Sequence, residues 1–162
     1  MSTLSTRSIY LSGLSVIILL LATSMWVEYI DGFIPCPLCT LQRLIFILLG
    51  ILFFIGALLH QHKLSRITIN YLSGLSALLG IFLAGRQVWL QNFSAGDNAE
   101  CGVSIQYMLQ VLSFKEVAQK IFAGSAECTQ RGWEFLSLNM AEWSLIWFII
   151  MFIVVGYLFK KG

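Results

Sequence analysis

Two cysteines three residues apart offer the clearest chemistry in this sequence. Cys36 and Cys39 bound the segment Cys36-Pro37-Leu38-Cys39, and Arg43 follows four residues after the second cysteine. Thiols at this spacing carry out thiol–disulfide exchange, form a structural disulfide or supply half of a metal site. The only imidazoles come from His60 and His62, beyond the far end of the apolar segment that follows. We therefore expect redox chemistry and no metal site.

The composition indicates a membrane protein. Of the 162 residues, 58% are hydrophobic and 11% are charged, which is more apolar and less charged than a typical soluble domain. A helix that spans a bilayer needs roughly 20 mainly apolar residues. Four stretches meet this requirement: 9–29, 41–59, 69–90 and 143–159. We expect one membrane domain over residues 1–162, an all-α bundle of four transmembrane helices in the lipid bilayer, with no nucleic acid partner.

The first apolar stretch is expected to remain in the protein as a helix. Its apolar core is longer than the roughly 7–15 residues of a signal peptide, and no small-residue cleavage site follows it. The segment Met25-Trp26-Val27-Glu28-Tyr29 instead resembles the aromatic belt found at membrane interfaces.

The charges are divided between the two ends of the predicted helices. Five basic residues and no acidic ones lie at the end that carries both termini: Arg7, Lys63, Arg66, Lys160 and Lys161. All eight acidic residues lie in or beside the other two connections, at about 30–40 and 91–142. The positive-inside rule therefore predicts cytoplasmic termini and two outward-facing connections. All four cysteines then face an oxidising compartment, where disulfides form.

The surroundings of the first cysteine pair favour a reactive thiolate. Pro35 and Pro37 discourage helix before the motif, so Cys39 is expected in the first turn of the second helix. Unpaired backbone N–H groups there stabilise an anion. Arg43 lies on the same helix face as Cys39 and is costly at the edge of hydrocarbon. We expect it to stabilise an anion at Cys39 or an electron acceptor beside it, although an isolated arginine also extends to the headgroups as an anchor.

The second cysteine pair lies in the long outer connection. Cys101 and Cys128 are set in polar segments, and four half-cystines allow three pairings. A disulfide between them would be either a structural staple or a bond that a foreign thiolate can reach. Between them, residues 103–111 and 114–122 form two short amphipathic stretches, each of which would lie on the membrane surface or cap the bundle.

Several motifs together resemble the DsbB family of bacterial inner-membrane proteins. The most specific is the stretch from Phe122 to Leu136 around Cys128, which continues into Met140-Ala141-Glu142-Trp143. The segment Trp89-Leu90-Gln91 is also similar to the family. The four spans, the outward cysteine motif with its arginine and the paired loop cysteines extend the resemblance over nearly the whole chain.

The resemblance implies a function and two disulfides. A protein of this family reoxidises DsbA, a periplasmic thioredoxin-fold dithiol oxidase, and passes the electrons to a membrane quinone, either ubiquinone or menaquinone. Cys36–Cys39 would be the pair coupled to the quinone, with Cys39 next to it. Cys101–Cys128 would face the partner, and Cys101 would form the mixed disulfide.

The resemblance also implies a quinone site and shows one departure. Arg43 would assist the quinone, and Gln91 at the end of the third span would line its site. Some relatives carry a histidine near this point, where this chain has Arg86-Gln87-Val88-Trp89. A proton-delivering imidazole is therefore not carried over, and Arg86 or Gln87 would replace it by hydrogen bonding to a quinone carbonyl.

The cysteine motif is compatible with two other functions. A quinone reductase similar to vitamin K epoxide reductase also places such a motif on a small helical bundle. A disulfide-stapled membrane scaffold without turnover belongs to a different class. The residues around Cys128 and Trp133 favour the DsbB-like oxidase.

Overall fold

The computed structural model describes residues 5–32, 36–93, 116 and 134–161. In these residues it contains four long helices and one small hairpin. The helices are α1 (Thr6–Asp31), α2 (Pro37–Leu58), α3 (Lys63–Phe93) and α4 (Met140–Lys161). Strands β1 (Glu134–Phe135) and β2 (Leu138–Asn139) pair antiparallel just before α4.

All four helices are long and apolar enough to cross a membrane. The predicted all-α fold with four transmembrane helices is thereby confirmed. Most helices extend beyond the apolar stretches predicted from the sequence, and α3 extends furthest. Its 31 residues span about 46 Å, which exceeds the roughly 30 Å of bilayer hydrocarbon. The excess turns are polar enough to lie in the headgroup region.

Successive helices run antiparallel and pack as neighbours. Near the start of α1, the Tyr10 ring meets the Phe53 ring late in α2, with 5.8 Å between centroids. Near its other end, Ser24 contacts Arg43 early in α2. The main contacts join α1 to α2, α2 to α3 and α3 to α4, and α1 touches α4 little.

The centre of the bundle is an aromatic stack. The Phe46 and Phe148 rings lie 4.0 Å apart and nearly parallel, and both residues are buried. Phe148 also packs directly on Gly80 of α3, where a Cβ atom would overlap its ring. The glycine thus allows α3 and α4 to approach closely.

The cysteine motif forms the start of α2. Cys36 is the N-cap residue and Pro37 follows in the first turn, where its fixed φ and missing N–H suit a helix. The prediction that Cys39 lies in the first turn is confirmed. The backbone N–H contact, however, belongs to the other sulfur, because the Cys39 N–H donates to Cys36 Sγ at 3.2 Å. The N-cap contact therefore involves Cys36 Sγ, and the expected stabilisation of a Cys39 thiolate by the helix end stays a prediction.

A capping box fixes the start of α4. Glu142 N–H donates to Asn139 Oδ1 at 2.9 Å, and Asn139 N–H donates to Glu142 Oε2 at 2.8 Å. The preceding hairpin turns through Leu136 and Ser137, which have φ of 55° and 64°. Two positive φ values in succession are those of a type I′ turn, the form that matches strand twist.

Part of the predicted site lies outside the described residues. Cys101 and Cys128 belong to this part, as do both predicted amphipathic stretches, 103–111 and 114–122, except for Glu116. Their pairing and their place on the membrane surface stay predictions.

Candidate active site

The described part of the site is centred on the two sulfurs of the cysteine motif. Cys36 Sγ and Cys39 Sγ lie 2.7 Å apart, so exchange between dithiol and disulfide needs little movement of the backbone. The two thiols differ in access. Cys36 is 4% exposed and part of the hydrophobic core, whereas Cys39 is partly exposed and packs against that core. A reactant from outside the bundle therefore reaches Cys39 first.

Gln87 of α3 contacts both sulfurs. Its Nε2 donates to Cys39 Sγ at 3.0 Å and lies 3.5 Å from Cys36 Sγ. The side chain is 2% exposed, so water has almost no access to it. The sequence singled out Gln87 as a possible partner of a quinone carbonyl. The structure brings its amide to the thiols themselves.

Gln42 is a site residue that the sequence analysis missed. Its Nε2 donates to Gln87 Oε1 at 2.7 Å, and its side chain is 3% exposed. Two signals were available in the sequence. Gln42 follows Cys39 by three residues and therefore shares its helix face. After Arg43, α2 contains only apolar residues and glycine, so an amide at the start of this helix indicates a buried polar partner.

Arg43 makes its described hydrogen bonds to α1. Its Nη1 donates to the Glu28 carboxylate in an ion pair, and its Nε donates to Ser24 Oγ at 3.0 Å. The Arg43 and Glu28 side chains are 23% and 32% exposed, which places the pair at the edge of the bundle. The guanidinium is thus held by a partner on the neighbouring helix. Its expected action on an anion at Cys39 stays a prediction.

Gln91 lies one turn after Gln87 and joins α3 to α4. Its Oε1 accepts a hydrogen bond from Asn139 Nδ2 at 2.8 Å, and both side chains are buried. Asn139 therefore acts both as the α4 cap and as an anchor on α3. Arg86, next to Gln87 in the sequence, is half-buried. The quinone-binding roles expected for Gln87, Gln91 and Arg86 stay predictions.

Comparison with known proteins identifies the family. The model of the family described as "Disulfide bond formation protein DsbB" matches residues 6–158. The chain belongs to the DsbB family. Similar members named "Disulfide bond formation protein B" occur in Stutzerimonas stutzeri, with 35% identity over 93% of this chain and 92% of the relative, and in Hahella chejuensis, with 36% identity over 90% and 88%. Pseudomonas aeruginosa has "Disulfide bond formation protein B 1", with 34% identity over 90% of this chain and 89% of the relative.

Membership in the DsbB family agrees with the geometry of the cysteine motif. The chain is a multi-pass membrane protein and a disulfide oxidoreductase, and such an enzyme requires a partner for disulfide exchange. This class favours a catalytic cysteine pair over a disulfide-stapled scaffold. The described residues contain one cysteine pair, Cys36 and Cys39, whose redox role stays a prediction.

Proposed function

We propose that this DsbB-family protein oxidises a periplasmic, DsbA-like thioredoxin-fold protein and passes the electrons to a membrane quinone. Two disulfides would carry them in turn, Cys101–Cys128 and then Cys36–Cys39. The observation that carries the proposal is the position of the Cys36 and Cys39 sulfurs. They lie 2.7 Å apart at the end of a membrane-crossing helix, and the more exposed of them is at the edge of an apolar core. A thiol pair there can exchange electrons with both an aqueous and a lipid-soluble reactant.

The proposed orientation rests on charge. Basic residues at the ends of the helices remote from Cys36 are Arg7, Lys63, Arg66, Lys160 and Lys161. Glu28, Glu134 and Glu142 lie toward the cysteine end. The positive-inside rule then puts both termini in the cytoplasm and the cysteine motif at the periplasmic face of a bacterial inner membrane.

The residues around Cys39 suit a quinone chemically. A quinone carbonyl is a hydrogen-bond acceptor, and the Gln87 amide and the Arg43 guanidinium are donors on either side of the motif. These two residues, with Gln91 one turn further along α3, are the proposed holders of the headgroup. The chemistry that bound ubiquinone or menaquinone would supply is the uptake of two electrons and two protons.

The proposed exchange steps conserve electrons. A thiolate of the reduced partner attacks Cys101 Sγ, and the bond to Cys128 breaks with release of the Cys128 thiolate. The second partner thiolate attacks the partner's own sulfur in the mixed disulfide, which closes the partner's disulfide and releases the Cys101 thiolate. Cys101 and Cys128 then hold the two electrons. Exchange with the Cys36–Cys39 disulfide transfers these electrons to the inner pair. Cys39, as the more exposed thiol, delivers them onward.

The test uses purified protein, a reduced thioredoxin-fold dithiol partner and a soluble quinone. The parent protein should form one quinol for each partner disulfide. Cys101→Ser should abolish partner oxidation while quinone still oxidises the Cys36–Cys39 dithiol. Mass mapping after trapping with a partner that lacks its second cysteine should find the covalent link at Cys101. A link at Cys39, or quinol formed without loss of partner thiols, would contradict the proposed route.

A further inference from the structure

We propose that Gln87 is a catalytic hydrogen-bond donor to the reacting sulfurs and that Gln42 is the positioning residue that holds the Gln87 amide in the donating orientation. The inference rests on disulfide exchange at Cys36–Cys39, as in the proposed function. It depends on neither the identity of the quinone nor that of the partner.

The donor lies within reach of both sulfurs. Gln87 Nε2 is 3.0 Å from Cys39 Sγ and 3.5 Å from Cys36 Sγ. One amide nitrogen carries two N–H groups, so it can serve both sulfurs, or one sulfur and a quinone carbonyl when quinone is bound. A hydrogen bond to an ionised acceptor is roughly twice as strong as one to a neutral acceptor. Gln87 therefore favours a thiolate over a neutral thiol, and over a disulfide sulfur, at either cysteine.

Gln42 determines which end of the Gln87 amide faces the sulfurs. With the amide reversed, its carbonyl oxygen would lie against Cys39 Sγ and disfavour a thiolate. The Gln42 Nε2 donor, 2.7 Å from Gln87 Oε1, makes that reversal costly because it would bring two N–H groups together. The two glutamines are 2% and 3% exposed, so water cannot readily replace either partner.

Of the described charged groups on the neighbouring helices, those on α1 and α4 have partners of their own. Arg43 and Glu28 form an ion pair on the α1 side, and Glu142 on the α4 side is bound to the Asn139 backbone. Arg86 precedes Gln87 on α3. Replacing either glutamine with an apolar residue changes none of these charges. A change in thiol reactivity in such variants therefore reports on the amide.

The Gln87 donor also affects the reduction potential of the Cys36–Cys39 pair. Reduction of the Cys36–Cys39 disulfide takes up two electrons and breaks the S–S bond. The number of protons taken up with them depends on how many of the two thiols ionise. Because Gln87 stabilises an ionised sulfur, it stabilises the reduced pair and raises its reduction potential. Loss of the donor should make the inner pair harder to reduce by the outer one.

The direct test is alkylation of the inner pair. In full-length protein with Cys101→Ser and Cys128→Ser, the iodoacetamide rate is measured against pH. Gln87→Leu should raise the pH midpoint of the alkylation rate by about one unit. At a pH below the midpoint, this corresponds to about tenfold less thiolate. The reduction potential of the Cys36–Cys39 pair, measured against a thiol buffer, should fall by about 30 mV. For a two-electron couple, this is a tenfold change in the equilibrium constant. Gln42→Leu should raise the same midpoint by a smaller amount, which corresponds to about threefold less thiolate at a pH below it.

A double variant tests the positioning role of Gln42. If Gln42 acts through Gln87, then Gln42→Leu should add no further shift once Gln87→Leu is present. Equal shifts in both backgrounds would overturn that role. Gln87→Met, which keeps the length of the side chain but removes the donor, is the second variant if Gln87→Leu does not fold, and it should give the same shift.

Asn70→Leu is the matched control. It removes a buried hydrogen bond on the same helix, from Tyr10 Oη at 2.6 Å, about 25 Å along α3 from Gln87. It should lower stability and leave the alkylation midpoint unchanged. An unchanged midpoint in both Gln87→Leu and Gln87→Met would overturn the proposal. None of these measurements uses quinone or partner, so failure here is distinguishable from failure of the proposed function.

Discussion

The Arg43–Glu28 ion pair allows structural and catalytic roles of one arginine to be separated. Arg43→Met removes the ion pair and the hydrogen bond to Ser24 Oγ that fasten α2 to α1. A partly exposed ion pair contributes about 0.2–1 kcal/mol, and the hydrogen bond from a charged donor contributes about 1 kcal/mol after allowance for its exposure. The expected loss in the free energy of unfolding is therefore about 1–2 kcal/mol.

The same substitution should weaken quinone use. If Arg43 also donates to the quinone, its loss removes a charge-assisted hydrogen bond of about 1.4 kcal/mol, which is a tenfold rise in the quinone KM. Single-turnover oxidation of the partner without quinone should remain near the parent rate. Quinol formation at varied quinone concentration measures the first effect, and stopped mixing of oxidised enzyme with reduced partner measures the second.

Glu28→Gln is the control that makes the result decisive. It removes the ion pair and keeps the guanidinium with its bond to Ser24, so it should lower the free energy of unfolding by only about 0.2–1 kcal/mol. The quinone KM should stay within about twofold of the parent, a difference worth about 0.4 kcal/mol. The catalytic role of Arg43 is refuted if the two variants have the same quinone KM. In that case the arginine serves only to join α1 to α2.

Three further predictions concern the framework around the site. Gly80→Ala should lower the free energy of unfolding by about 1–3 kcal/mol, because its Cβ atom would overlap the Phe148 ring; Gly85→Ala on the same helix meets nothing within 4 Å and should be neutral or stabilising by up to about 1 kcal/mol. Asn139→Ala should lower the free energy of unfolding by about 2–4 kcal/mol, since it removes the α4 cap and leaves the buried Gln91 oxygen without this donor. Ser137→Gly should raise the free energy of unfolding by about 1 kcal/mol, because glycine adopts the φ of 64° without strain. Thermal unfolding in detergent measures all of these, and a stabilising Gly80→Ala, a neutral Asn139→Ala or a destabilising Ser137→Gly would contradict the respective argument.

The sequence predicts the membrane helices well because each depends on local composition. Apolar runs indicated all four, yet α3 begins at Lys63 and ends at Phe93, outside its window of 69–90. Hydropathy registers only the part of a helix in hydrocarbon, whereas backbone hydrogen bonding continues into the polar interface. Helix caps explain other boundaries, such as Cys36 before α2 and Asn139 before α4.

The partners within the site depend on packing and were harder to foresee. The sequence placed Arg43 beside Cys39 by helical spacing alone, which says nothing of Glu28 on another helix. The Gln42–Gln87 contact joins residues 45 positions apart. To predict such a contact, one must know how α2 and α3 are aligned against each other. The sequence around either residue alone does not determine that alignment. An amide in an otherwise apolar helix indicates that a polar partner exists without identifying it.

The neighbour-to-neighbour packing of the bundle has a consequence for biogenesis. Because the main contacts join helices that are consecutive in the chain, a chain that enters the membrane from its N-terminus can assemble in order of synthesis. The cysteine motif and Gln42 then arrive with the second helix, but the amide that contacts the sulfurs arrives only with the third. A nascent chain stopped after α2 would hold both thiols and a buried glutamine without its α3 partner. Among the described residues, the surroundings of Cys36 and Cys39 therefore require α3 to be packed on α2.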